Sequence, residues 1–147
     1  MSALPAILVV EDSDEDFETA VEAARRGGVV NPLRRALSGD DGLRMLQACV
    51  LSRSPLPALV LLDLNTPAGD GRQALQQIKQ DPCLRVIPTV ILSTSDNPRD
   101  VSFCYANHAN AYHTKPVSYP AYLKILQDVF RYWLVNALPP VAQTPEK

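Results

Sequence analysis

Glu11 and Asp12 stand side by side directly after the aliphatic run Ile7–Val10, and a lone aspartate, Asp63, follows Ala58–Leu62, the most apolar run in the chain. Acids gathered where buried strands end repel one another, and a divalent cation among them relieves that repulsion. An oxygen-only donor set with few carboxylates suits Mg²⁺ (or Mn²⁺). Asp12 and Asp63 are the expected direct ligands, Glu11 reaches through water, and the backbone carbonyl of Asn65 can supply a further oxygen. Asp63 can also act as a nucleophile, because a carboxylate that attacks phosphorus forms an acyl phosphate. Charge then develops on the phosphoryl oxygens, so catalysis is mostly positioning and neutralisation. Lys115 offers a flexible point charge for that purpose, and Ser93 offers a hydroxyl donor. Each residue alone has a plainer reading: acids at a helix start, a loop cap, a surface lysine, a strand-end serine. Taken together they form a set that chance explains poorly.

These residues need elements to bring them together, and the hydrophobic pattern supplies five. Strands are expected at Ile7–Val10, Leu33–Leu37, Ala58–Leu62, Thr89–Leu92 and Ala111–Thr114. Between them lie helical patterns. One is capped by Ser13, carries Phe17, Ala20, Val21 and Ala24 on one face, and ends at Gly27 and Gly28. The next is capped by Asp40 or Asp41 and contains Leu43, Leu46 and Val50. A loop over Asn65–Gly71, with Pro67, Gly69 and Gly71, leads to a helix marked by Ala74, Leu75 and Ile78 that stops near Asp81 and Pro82. Asn97 and Pro98 read as an N-cap followed by proline at the first helical position. A last helix runs from Tyr119 to Leu138. Five β–α units in this order predict an α/β fold, a five-stranded parallel sheet with helices on both faces. In such sheets function gathers at the carboxyl ends of the strands, and Glu11, Asp12, Asp63, Ser93 and Lys115 all follow strand ends.

With 147 residues, 46% of them hydrophobic, the chain suits one domain with a proper core, expected over residues 5–138, with 139–147 as a disordered tail. A net charge of −2 gives no reason to expect nucleic acid or acidic lipid as a partner. The pairs Arg25–Arg26 and Arg34–Arg35 read as solvated surface charge. Cys49, Cys83 and Cys104 lack metal-ligand or CxxC spacing and read as buried thiols in a reducing compartment. The N-terminus lacks a basic leader, and no run is long enough to span a bilayer. A cytoplasmic protein without membrane association is expected.

The segments ILVVEDSDED, LVLLDLNTPAGDG, PTVILSTS and AYHTKPV, in this order and separation, resemble response-regulator receiver domains from near residue 6 to near residue 138. The resemblance implies a flavodoxin-like receiver fold. It implies metal-binding acids at Glu11 and Asp12, a phosphoacceptor at Asp63, a hydroxyl switch at Ser93, the family's lysine at Lys115 and a rotating aromatic at Tyr112. It also implies a signalling module rather than an enzyme, receiving its phosphoryl group from a histidine kinase. Glu11 for the commoner aspartate and Ser93 for the commoner threonine are mild departures that keep each functional group. The family usually has a cis bond before the proline at Pro116, and a proline permits either isomer. Asn65, the segment Asn31–Leu33 and the ending FRYWLVNALPP further resemble single-domain regulators paired with bacterial phytochrome kinases, which form dimers through this last region.

The last helix carries two apolar stripes. Tyr122, Leu126, Val129 and Trp133 read as core-facing. Leu123, Phe130, Leu134 and Leu138 then form a surplus stripe, and a surplus apolar strip usually marks an interface, here that of a homodimer. Three rival readings remain beside a phosphorylated regulator. A phosphatase of the haloacid-dehalogenase type would place a second acid where Asn65 stands, and asparagine cannot serve as acid or base. A flavodoxin-like cofactor binder would need a phosphate-cradling loop where this chain has acids. A receiver-like module that works without phosphorylation, or as an intermediate in a phosphorelay, stays open.

Overall fold

The computed structural model describes residues 4–66 and 71–140. Five strands, β1 (Ile7–Val10), β2 (Leu33–Ala36), β3 (Leu59–Asp63), β4 (Thr89–Ser93) and β5 (Ala111–Thr114), pair in parallel in the order β2-β1-β3-β4-β5. That order is the doubly wound, flavodoxin-like one, in which the crevice for ligands opens beyond the carboxyl ends of the strands. Five helices alternate with the strands: α1 (Asp14–Arg26), α2 (Gly39–Ser52), α3 (Gly71–Gln80), α4 (Pro98–Ala106) and α5 (Tyr119–Arg131).

Strand alternation divides the core into two layers. Ile7, Val9, Leu59, Leu61, Val90 and Leu92 pack toward α1 and α5. Leu8, Val10, Val60, Leu62 and Ile91 pack on the other face, with Leu46 of α2, Leu75 and Ile78 of α3, and Cys104 of α4. β1, β3 and β4 are buried throughout, which is why they read as unbroken apolar runs.

Local details correct several expectations. On α1 the buried residues are Thr19, Ala20, Ala23 and Ala24, whereas Val21 is exposed. Thr19 tolerates burial because its hydroxyl donates to the Glu15 carbonyl at 2.9 Å. α2 is capped by Ser38 rather than by Asp40 or Asp41. The Ser38 hydroxyl accepts from the Asp41 amide at 3.1 Å, and Asp41 in turn accepts from the Leu37 amide at 3.3 Å. Leu37 lies outside β2 and is exposed. Ser13 and Asn97 cap α1 and α4 as expected, with Pro98 at the start of α4. Among the described residues no peptide bond is cis, so the bond between Lys115 and Pro116 is trans.

The last helix departs most. α5 ends at Arg131 and continues as a π-helical turn, Tyr132–Asn136, so the segment does not run as one α-helix to Leu138. Leu123 is 6% and Phe130 1% exposed, and both belong to the core layer between α5 and α1. The supposed surplus stripe is therefore half spent on the domain's own core. Beyond it, Tyr132, Val135 and Leu138 are exposed, while Trp133 and Leu134 are half-buried. Of the cysteines, only Cys104 is buried; Cys49 and Cys83 are half-buried free thiols. Pro67 and Gly69 of the loop, and 141–147 of the tail, lie outside the described residues.

Candidate functional site

The carboxyl ends of β1, β3, β4 and β5 bring together the residues that the sequence singles out. Parallel register sets the depth: Val10 lies opposite Leu62, Asp63 opposite Leu92, and Ser93 opposite Thr114. The backbone then holds each side chain in place. The Lys115 amide donates to the Ser93 carbonyl at 2.7 Å, which fixes the lysine one step beyond β5. Behind Asp63, Gly71 passes so close that a Cβ there would lie 2.7 Å from both the Asp63 carbonyl oxygen and the Leu64 Cα. The Gly39 amide donates to Thr66 Oγ1 at 3.2 Å and ties the loop after β3 to the start of α2.

Carboxylate oxygens of Glu11, Asp12 and Asp63 lie within 4.8 Å of one another. Glu11 and Asp63 are buried and Asp12 is exposed, so the cluster opens to solvent on the Asp12 side. The Lys115 ammonium reaches into the same cluster. It donates to Glu11 Oε1 at 2.7 Å, to Asp16 Oδ2 at 3.0 Å and to Asp63 Oδ2 at 3.1 Å. The other Asp63 oxygen, Oδ1, accepts from the Asn65 amide at 3.0 Å.

Three carboxylates thus share one ammonium, with Asp12 beside them, and the electrostatics follow. Burial, opposed by Lys115 and reinforced by the Asp63 charge, pushes the Glu11 carboxyl up to about 7. Burial works against the Lys115 cation too, but its bond to Glu11 and the charges of Asp63 and Glu11 outweigh that and hold its proton more tightly than usual. We read Lys115 as charged and the rise at Glu11 chiefly as the cost of burying its charge. An all-oxygen, carboxylate-rich set with one face open to solvent fits a hard divalent cation.

Ser93 is fully buried. Its hydroxyl oxygen accepts from Asn65 Nδ2 at 3.2 Å and from the Ser95 amide at 3.1 Å. Ser95 also receives the Tyr112 hydroxyl on its carbonyl at 2.7 Å and donates its own hydroxyl to Asp100 at 2.6 Å. Tyr112 is half-buried against the α2–α3–α4 core layer, and its amide donates to the Tyr105 hydroxyl at 3.1 Å.

Asp16 escaped the sequence reading, although its spacing from Ser13 was available: Ser13 accepts from the Asp16 amide at 3.2 Å, which puts Asp16 in the first turn of α1 beside Lys115. Arg35, read as solvated charge, is instead engaged. It donates to the carbonyls of Glu11 and Asp12 and to the Asp14 carboxylate. Ser95 and Asp100 were also missed; single polar residues in a loop carry no periodic signal.

Comparison with known proteins fits this geometry. Residues 7–127 match the response regulator receiver domain family. The response regulator Rcp1 of Synechocystis sp. is 38% identical over 137 residues, covering 92% of this chain and 93% of the relative. The crystal structure of the Mn²⁺-bound form of Rcp1 superposes with a TM-score of 0.87 at 37% identity, covering 94% of this chain and 100% of that one. That of the phosphorylated cyanobacterial phytochrome response regulator RcpA superposes with a TM-score of 0.82 at 34% identity, covering 94% and 99%. With this fold, this sheet order and this match over most of its length, the chain belongs to the response regulator receiver domain family.

Proposed function

We propose that residues 5–138 form a receiver domain that takes a phosphoryl group on Asp63 from a histidine kinase and passes the signal on by changing shape. The observation that carries this reading is the placement of Asp63: buried, 3.1 Å from the Lys115 ammonium, and clustered with Glu11 and Asp12 at the open end of the sheet. A carboxylate oxygen of Asp63 attacks the phosphorus of a phosphohistidine. The new O–P bond forms as the N–P bond breaks, and the imidazole nitrogen leaves with the bonding pair and takes up a proton. Lys115 draws the charge that develops on the phosphoryl oxygens. Glu11, Asp12, Asp63 and the backbone carbonyl of Asn65 would hold Mg²⁺ or Mn²⁺, which when bound neutralises further charge on the same group.

Ser93 is the switch hydroxyl. It already accepts two N–H donors, so its proton is what it has left to give, and a phosphoryl oxygen on Asp63 is a strong acceptor. Its movement loosens the bond from Ser95, whose carbonyl holds the Tyr112 hydroxyl, and Tyr112 turns as that bond changes. The charge biases two existing arrangements.

The partner is a phytochrome-type histidine kinase, a reading supported by the likeness to Rcp1 and to the cyanobacterial phytochrome regulator RcpA. A homodimer would pair through Tyr132, Val135 and Leu138, which remain exposed after Leu123 and Phe130 are assigned to the core. The three free thiols favour a cytoplasmic setting. Among the described residues no helix is long and apolar enough to cross a membrane. The net charge of −2 offers nucleic acid no attraction.

The test is labelling. With acetyl phosphate and Mg²⁺ the protein gains one phosphoryl group, Asp63→Asn gains none, and EDTA abolishes the gain. Undiminished labelling of Asp63→Asn would move the acceptor elsewhere. Beryllofluoride shifts the Tyr112 ring signals in the wild type, and an equal shift in Asp63→Asn would refute the switch.

A further inference from the structure

Arg35 lies on β2, paired in register with Val9, and its side chain points to the α1 side of the sheet. Its guanidinium lies 5.0 Å from the centre of the Phe17 ring and donates along its whole fork. Nε reaches the Glu11 carbonyl at 2.9 Å, Nη2 the Asp12 carbonyl at 3.0 Å, and Nη1 Asp14 Oδ1 at 2.7 Å. The Arg35 side chain is 23% exposed and that of Asp14 85%, so the ion pair with Asp14 adds little. The weight falls on the two carbonyls.

These are the carbonyls of the two consecutive residues whose carboxylates line the acidic cluster. β1 ends at Val10; the Glu11 amide still donates to the Ala36 carbonyl of β2 at 2.9 Å, while the Glu11 and Asp12 carbonyls accept from Arg35. A planar, fixed fork can hold two successive peptide planes at once. It also brings a positive charge to a stretch in which Glu11, Asp12 and Asp14 repel one another, and it does so without occupying the Glu11 or Asp12 carboxylate.

We infer that Arg35 is a positioning residue for the cation site: it clamps the Glu11 and Asp12 peptides so that both carboxylates are presented to a divalent cation. This rests on the reading that Glu11, Asp12 and Asp63 hold such a cation. Outer groups that orient ligands change metal affinity about 10- to 100-fold when removed.

Field and clamp predict opposite signs. Deleting a positive charge near a cation site strengthens cation binding if the charge acts through space alone. Deleting the clamp weakens it. Arg34 is the matched control, one residue away on the same strand, exposed, with its side chain on the opposite face of the sheet.

The experiment measures Mn²⁺ binding by the loss of the free-ion EPR signal, on the full chain without phosphate, with folding checked by urea unfolding in EDTA. The expected result is about tenfold weaker binding in Arg35→Met, and equal or tighter binding in Arg34→Met. Arg35→Lys keeps the charge but cannot span both carbonyls, so it is weakened as well, and it carries the test if Arg35→Met does not fold. Wild-type affinity, or tighter, in the folded Arg35 variants overturns the clamp. Absence of Mn²⁺ binding by the wild type, or binding undiminished in Asp12→Ala, overturns the cation reading instead.

Discussion

Replacing Asp12 with asparagine should stabilise the metal-free protein and cost it the cation. The Asp12 carboxylate lies within 4.8 Å of those of Glu11 and Asp63, and Lys115 spends its bonds on Glu11, Asp16 and Asp63. Two like charges at that separation repel by about 1 kcal/mol in water and about 3.5 kcal/mol at an effective dielectric of ~20. Asp12 is exposed, so the lower figure is nearer. Lys115 offsets part of what Glu11 and Asp63 contribute, which leaves a net relief of about 1 kcal/mol. Asparagine keeps the shape and removes the charge. Mg²⁺ at ten times its dissociation constant stabilises the wild type by about 1.4 kcal/mol through linkage, and the variant gains much less. The order of stability therefore reverses between EDTA and Mg²⁺. Urea unfolding in the two buffers, followed by Trp133 fluorescence, reads both numbers. A variant no more stable than wild type in EDTA, or one that gains as much from Mg²⁺, would refute the reasoning.

Three further outcomes follow from burial and close contact. Phe130→Ala should cost about 3–5 kcal/mol in urea unfolding because the ring is 1% exposed, while Leu51→Ala on α2, at 86% exposure, should change stability by less than about 0.5 kcal/mol. Gly71→Ala should destabilise the fold and slow phosphoryl uptake from acetyl phosphate together, since its Cβ would meet backbone atoms of Asp63 and Leu64 at 2.7 Å; wild-type uptake would show that the loop gives way freely. Cys104 is fully buried and burial pushes its thiol up to about 11, so a thiol reagent at mildly alkaline pH should modify Cys49 and Cys83 in the native protein and leave Cys104 until it unfolds.

The strands were legible because burial on both faces leaves an uninterrupted aliphatic signature, and the acidic pair, Asp63, Ser93 and Lys115 were legible because a parallel sheet exposes its strand ends along one edge. What failed to show was set by contacts between segments distant in sequence. Val21 and Thr19 lie roughly 200° apart on α1, and the packing of α1 against α5 and the sheet buries the face of Thr19, Ala20, Ala23 and Ala24 and leaves Val21 exposed. Leu123 and Phe130 looked surplus because periodicity counts stripes without knowing how far α1 wraps against α5; the alanines of α1 let it come close enough to cover both. Arg35 looked idle because its partners are carbonyls, which every residue possesses and which therefore leave no trace in composition.

The proposed site and the proposed switch make opposite demands, and the hydrogen bonds differ accordingly. Around Asp63 the groups are fixed: Gly71 blocks retreat, Asn65 and Lys115 hold one carboxylate oxygen each, and repulsion among the acids is contained by the ammonium. A nucleophile gains from such rigidity, because small displacements cost rate. At the end of β4 the bonds are instead arranged in series. Ser93 accepts from Ser95, Ser95 accepts from Tyr112, and Ser95 donates to Asp100, which Arg72 holds at 2.6 Å. In the proposed switch, Ser93 cannot turn to a phosphoryl group and keep its present geometry with the Ser95 amide. A partly buried amide left without an acceptor costs about 1–3 kcal/mol, so Ser95 must move, and its carbonyl and hydroxyl move with it. The serial arrangement would make a partial response costly, and in the proposed switch it would carry a single charge on Asp63 to both Tyr112 and α4.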